Sequence, residues 1–259
     1  MLINCVVYRD GRKLADIKIE EISDYLQYPG CFVWVALRDP GADELEQMRV
    51  EFDLHPLAIE DANHGHQRPK IEEYGETLFA VIHLLEAEQG EIAIGEVDIF
   101  VGHNFILSVR NRSGQPLVGV RERCEREPEV LRQGSGFVLY ALIDDVVDHY
   151  FPVVDAIESE LEEVEEHIFE QGAARLNIGR LYDLKRRVTV VKHAVAPLLE
   201  AVGKLTSGRV PPVCANSRDY FRDVYDDLFT IGERAQAYAD SLTNVLQVYV
   251  NMSSHQTGE

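Results

Sequence analysis

Apolar and polar positions follow two different periods along this chain. Up to about residue 135 the apolar residues come in short β-branched or aromatic runs bounded by turn residues. These runs predict strands at Ile3–Tyr8, Cys31–Leu37, Leu78–Leu85, Glu96–Val101 and Phe105–Arg110. Gly102-His103-Asn104 predicts a hairpin turn between the last two. Between the second and third strands the spacing predicts a helix over Ala42–Phe52, with acids in its first turn, and a shorter one over Pro56–Asn63. Leu117–Gln133 reads as helical, interrupted near Pro128. A strand-rich sheet with helices packed on it, of mixed α/β class, is the expected architecture of residues 1–135.

From Ile143 the apolar positions change to alternating steps of four and three. The first series is Ile143, Val147, Tyr150, Val154, Ile157, Leu161, Val164 and Ile168. A second runs from Leu181 through Leu184, Val188, Val191, Val195, Leu198 and Val202 to Leu205. A third runs from Val224 through Leu228, Ile231, Ala235, Tyr238, Leu242, Val245 and Tyr249 to Met252. Such stripes predict long helices packed lengthwise. Pro152 and Pro197 fall inside the first two and predict a kink or break. Residues 136–210 are thus expected to form an antiparallel pair, one helix acidic and the other basic. Residues 211–259 are expected to form a single projecting stalk helix, with Ser217 as its N-cap. From Ser217 to Ser254 that helix would span roughly 57 Å at 1.5 Å per residue. Opposite its apolar stripe runs a polar line of Asp240, Asn244, Gln247, Asn251 and Ser254. The line is either a solvated outer face or a set of side chains facing the axis of a ring of identical helices.

Charge narrows the choice of function. The 259 residues hold 45 acids and 25 Lys and Arg, a formal charge of −20. That balance argues against nucleic acid and against an anionic membrane surface, both of which demand Lys and Arg. It suits cations or basic partners, or serves solubility alone. No apolar run approaches the roughly 20 residues of a membrane helix, and the N-terminus has no signal-peptide pattern. Cys5, Cys31, Cys124 and Cys214 are scattered without a CxxC pair, so neither a disulfide framework nor a zinc ribbon is indicated.

No nucleotide-binding, metalloprotease or nucleophile-elbow motif occurs, so an enzyme is not indicated. Carboxylates are abundant. The first long helix carries Asp144, Asp145, Asp148, Asp155, Glu158, Glu160 and a run of further glutamates; the second carries Arg180, Lys185, Arg186, Arg187 and Lys192, so the two could neutralise each other. Asp219, Asp223 and Asp226 open the third helix on one face. They suit its macrodipole and could equally offer oxygen ligands to Mg²⁺ or Ca²⁺. His64 and His66, with Glu60 and Asp61, read as exposed loop residues or as a zinc or cobalt site. His83, in an apolar strand, reads as a hydrogen-bonded core histidine.

Several of these segments, in order, resemble the CorA family of divalent-cation channels. Leu54–Glu88 is similar to the family's N-terminal signature, especially Leu57, Glu60-Asp61 and His66-Gln67-Arg68-Pro69-Lys70. Leu139–Glu165 is similar to its first long acidic helix, Asp219–Leu228 to the start of its stalk, and Val248–Glu259 to the approach to its first membrane span. The family's two membrane helices do not occur in these residues. The resemblance therefore implies a soluble piece of a longer protein, lying on the cytoplasmic side of the inner (plasma) membrane and joined to it through C-terminal spans.

The resemblance further implies an α/β/α N-terminal domain with a mixed sheet, a helical bundle and a long stalk, in a funnel-shaped homopentamer in which divalent cations, Mg²⁺ with Co²⁺ or Zn²⁺ as alternatives, sit between subunits and favour the closed pore. Carried over by position, the stalk carboxylate is Asp223 and its facing carboxylate Glu88, where other members have Asp. Glu86 is a weaker candidate, and a secondary site involves Asp144 or Asp148. The polar line matches the pore-facing side of the stalk. Two alternatives stand beside this reading: the cytoplasmic part of a related zinc transporter, and a soluble oligomeric coiled-coil scaffold.

Overall fold

A computed structural model describes residues 1–88, 90–114, 117–167, 174–207 and 210–256. Seven strands form one sheet: β1 (Leu2–Arg9), β2 (Arg12–Asp16), β3 (Cys31–Arg38), β4 (Lys70–Tyr74), β5 (Thr77–Glu88), β6 (Glu91–Val101) and β7 (Phe105–Asn111). Their spatial order is β2-β1-β3-β7-β6-β5-β4. β3 and β7 run parallel, with Val33 opposite Phe105, and every other neighbouring pair is antiparallel. Alternate residues enter two cores. Val6, Tyr8, Trp34, Ile82, Val97 and Ile106 face one, and Val7, Val33, Val35, Val81, Phe100 and Leu107 face the other. Burial of both faces is why these strands read as continuous apolar runs.

β2 and β4 were not expected. Both are edge strands of mostly polar sequence, RKLAD and KIEEY, with no fully buried residue, so neither leaves an apolar run to detect. β5 and β6 also extend beyond the expected runs into a long hairpin, where Glu88 pairs with Glu91. The expected turn after β6 is present, closed by the Gly102 N–H donating to the Phe105 carbonyl at 3.0 Å.

Helices α1 (Ile22–Tyr25), α2 (Ala42–Phe52) and α3 (Pro56–His64) cover the second core. At the start of α2 the Glu44 carboxylate accepts the Gly41 N–H at 3.0 Å. Pro56 opens α3 in the first turn, where its missing N–H costs nothing. The other face is covered by α4 (Val118–Arg126), α5 (Pro128–Leu131), α6 (Ser135–Asp148), α7 (Tyr150–His167), α8 (Ala174–Thr206) and α9 (Arg218–Gln256). The layers are thus α/β/α, extended by long helices.

The prolines act differently from one another. The interruption near Pro128 falls at Glu127, and Pro128 begins α5. Pro152 does not kink a continuous helix; the break lies at His149, which leaves Pro152 in the first turn of α7. Pro197 lies inside α8, which runs unbroken for 33 residues. Ser217 does not cap α9. It ends a 3₁₀ turn, Pro212–Ser217, and its hydroxyl donates to Gln133 at 3.3 Å. That turn presses on the start of α6: a Cβ on Gly136 would lie 1.9 Å from the Val213 carbonyl oxygen, so only glycine fits.

The expected neutralisation between acidic and basic helices is present in part. Arg187 of α8 binds Glu160, Arg180 binds Glu163 at 2.6 Å, and Arg234 of α9 takes Asp155 and Glu158, both at 2.7 Å. Arg186 turns instead to Glu91 of β6. Ile168 and Glu170 lie outside the described residues. Among the described residues no helix is long and apolar enough to cross a membrane.

Candidate metal centre

Helix α6 meets the first turns of α9 through aromatic rings. Tyr140 lies 5.0 Å from Tyr220 and 6.2 Å, edge-on, from Phe221, while Phe137 lies 5.5 Å from Tyr220. One turn further along each helix the facing positions are acids. Asp144 and Asp148 stand four residues apart on α6, and Asp223 and Asp227 four apart on α9. Burial and the Asp144, Asp223 and Asp148 charges together push the Tyr140 hydroxyl up to about 12, with Arg123 opposing. Asp144, Asp148 and Asp223, three of the five expected carboxylates, thus all bear electrostatically on Tyr140.

Two acids of this group are held above the ordinary carboxylate range. For Asp227 burial is the first cause, followed by repulsion from Asp223, Asp148 and Asp226. Asp144 is raised by burial and by Asp148 and Asp223, against Arg123, whose guanidinium pairs with it at 2.9 Å. Asp148 and Asp223 are both exposed. The cluster thus holds more negative charge than Arg123, paired with Asp144, offsets. A divalent cation would relieve that repulsion through oxygen ligands. Asp227, Arg123 and Tyr140 were not singled out from the sequence. Asp227 could have been found, since it stands four residues after Asp223 on the same helix.

The other candidates lie elsewhere. Glu86, near the end of β5, accepts from the Ser113 hydroxyl, and Glu88 is exposed at the β5–β6 hairpin. On α9, Asp240, Asn244 and Gln247 are exposed, and Asp240 accepts from the Gln236 amide at 2.8 Å. The helix includes Asn251 and Ser254, whose side chains lie outside the described residues. Among the described residues no three His, Cys, Asp or Glu side chains converge closely enough within the one chain to hold a metal ion.

The histidine loop does not assemble the zinc or cobalt site that its spacing allowed. His64 Nδ1 bonds the Glu60 carbonyl at 2.9 Å, as a helix-terminal histidine does, and His66 turns to Arg112. Asp61 pairs with Lys70 at 2.7 Å. His83 is only half-buried, with Nε2 2.8 Å from the Gln67 carbonyl oxygen. Below this loop lie two buried acids of β6. The Glu96 carboxylate accepts the Gln67 N–H at 3.0 Å, and Asp98 accepts from the Asn111 amide at 3.2 Å. Burial raises both, Asp98 strongly, and Glu96 adds repulsion to Asp98. Their alternation in the strand EVDIFV, acids on one face and Val and Ile on the other, was the available signal.

Residues 30–259 match the family described as CorA-like Mg²⁺ transporter protein. Among curated relatives, YfjQ of Bacillus subtilis, provisionally named a metal ion transporter, is 31% identical over 243 residues, 94% of this chain and 74% of its own. The cobalt/magnesium transport protein CorA of Thermotoga maritima is 29% identical over 84% of this chain and 62% of its own length. The soluble domain of CorA from Methanocaldococcus jannaschii shares the fold, with a TM-score of 0.74 at 18% identity over 97% of this chain and 98% of that one.

Proposed function

We propose a function from one premise: the chain belongs to the CorA-like Mg²⁺ transporter protein family. On that premise it is the cation-sensing, gating part of a divalent-cation channel rather than an enzyme. It works on the cytoplasmic side of a membrane as part of a homopentamer, with the membrane spans supplied by further C-terminal sequence. Residues 1–135 form the sensing domain, 136–210 the paired helices and 211–259 the stalk. The observation that carries this reading is the group Asp144, Asp148, Asp223 and Asp227, in which burial and then mutual repulsion raise Asp144 and Asp227 above the ordinary carboxylate value while Asp148 and Asp223 stay exposed.

The mechanism follows from electrostatics. Asp223 of one copy and Glu88, or Glu86, of the next repel one another when their surfaces meet. A Mg²⁺ or Co²⁺ ion between them converts that repulsion into attraction, so ion binding and closure of the interface strengthen each other reciprocally. As the cation is withdrawn the acids push the copies apart, and the pore is released from its closed state. Asp144 and Asp148 offer a second, weaker place for the same ion. The exposed line Asp240, Asn244 and Gln247 faces the ring axis, where amides can hold a hydrated cation without trapping it.

Thermal unfolding and sedimentation in Mg²⁺, against NaCl of equal ionic strength, test this. Mg²⁺ is expected to raise the melting temperature or favour association beyond the sodium control, and Asp223→Lys to remove the excess. Equal responses to the two salts in the unsubstituted chain would overturn the reading.

A further inference from the structure

Between the loop that joins α3 to β4 and the middle of α8 lies a cleft of about 500 Å³. In a chain with 45 acids against 25 Lys and Arg, its lining runs the other way. Arg68 comes from the loop and Lys192 and His193 from α8, and among the described residues none that lines the cleft is an acid. Ala196 and Pro197, one turn further along α8, are short and leave the space between the two walls open.

Both walls are fixed. On either side of Arg68 the loop is tied down: the Gln67 N–H donates to the buried Glu96 at 3.0 Å, its carbonyl accepts from His83 Nε2 at 2.8 Å, and Pro69 is buried. Helix α8 is anchored by Val191, Ala194, Val195 and Leu198 in the core. The basic groups, by contrast, are available. Arg68 and His193 are exposed, and neither has a hydrogen bond or ion pair among the described residues. Lys192 Nζ donates to the neutral Gln236 amide of α9 at 2.7 Å, which leaves its charge uncompensated and two of its three N–H groups unused. His66 and His83 also border the cleft, but Arg112 engages the first and the Gln67 carbonyl the second, so they shape the site rather than serve it as donors.

Three unlike donors thus border one concave space. They are a guanidinium with a planar fork of N–H groups, an ammonium, and an imidazole that carries at least one N–H in any protonation state. A cleft lined by one sign of charge concentrates its field and favours an ion of the opposite sign. Donors on two opposed walls suit an anion whose oxygens diverge. A carboxylate has two oxygens in one plane, whereas a phosphoryl group has three that point apart and carries up to two charges. The volume exceeds that of one phosphate and falls in the range of small-molecule sites, with room for the body of an ester.

We propose that this cleft binds a phosphoryl group, held by Arg68 from the loop and by Lys192 and His193 from α8, either as the free ion or as the head of a small ester. The occupant staples the loop to α8. The site shares no residue with the acids of α6 and α9, so it neither supports nor depends on the cation reading.

Sodium phosphate, AMP and adenosine are titrated into the whole chain by calorimetry, with NaCl holding the ionic strength constant and melting temperature followed in parallel. Divalent cations are left out, so that neither anion acts through a metal it chelates. Saturable binding of phosphate or AMP with a rise in melting temperature is expected. Arg68→Gln and His193→Gln should each weaken it about tenfold. Arg126→Gln, which removes the same charge from the exposed end of α4, should leave it unchanged. AMP binding tenfold or more tighter than phosphate would identify an ester as the source, and equal or weaker AMP binding the free ion; either supports the proposal. No saturable response to phosphate or AMP would overturn it, as would adenosine binding as tightly as AMP. Equal weakening by Arg68→Gln and Arg126→Gln would mean that the anion answers to net charge alone, and would overturn it too. The titrations of the unsubstituted chain decide the question even if a variant does not fold.

Discussion

Single residues carry two sharp constraints. At Gly136 a methyl group would collide with the Val213 carbonyl, a backbone atom that cannot swing aside. Gly136→Ala is therefore expected to destabilise by about 1–3 kcal/mol or more, through overpacking, and calorimetry would read the drop in melting temperature. At Asp98 the cost is electrical. Its Oδ1 has no hydrogen-bond partner among the described residues, and burial together with Glu96 raises its pKa well above the ordinary value. Glu96, Asp144, Asp145 and Asp227 are raised as well. Between the unfolded value, near 4, and these raised folded values the folded chain binds more protons than the unfolded one, so stability falls as pH rises. The carboxyls held low, Asp16, Glu44, Glu46 and Glu163, lose their stabilising effect only below that window. The melting temperature should thus fall as pH rises from the unfolded carboxylate value through the raised folded ones, and Asp98→Asn should lessen the fall. A pH-independent melting temperature would contradict this account.

Elements were legible where packing imposes a period. The stripe on α9 predicted Val224, Leu228, Ile231, Ala235, Tyr238 and Leu242 as core, and all six are buried. Beyond Leu242 the stripe continues in sequence, but Val245 and Tyr249 are only half-buried. Leu228→Ala should cost about 2–5 kcal/mol, whereas Asn244→Ala, on the exposed side, should change stability by no more than about 0.5 kcal/mol. Denaturant unfolding distinguishes the two. The strands β2 and β4 and the bond from Ser217 to Gln133 were not legible. Edge strands need no apolar run, and a hydroxyl's partner 84 residues away leaves no local trace. Asp144, Asp148 and Asp223 could be named from helical spacing and family resemblance. That they bear on one tyrosine depends on how α6 crosses α9, which no local pattern encodes, whereas Asp227 was within reach of the helical spacing from Asp223.

The whole molecule carries its charge of −20 unevenly. Arg180, Arg187 and Arg234 discharge part of the acidic helix α7, while where α6 meets α9 Arg123 pairs with Asp144. Added NaCl should accordingly raise the melting temperature modestly, by screening repulsion among exposed acids, with the gain levelling off once the Debye length falls below their spacing. The geometry of α9 has a separate consequence. Its 39 residues reach about 58 Å from a base clamped by Phe221, Val224 and the aromatic contact with α6. Because α9 is packed in the core as far as Leu242, it can tilt only together with the helices it lies against. A tilt of one degree at the base sweeps the opposite end through about 1 Å, for a helix of this rise. A rotation of the packed helices that is hardly felt at Asp223 is thus largest at the far end of α9.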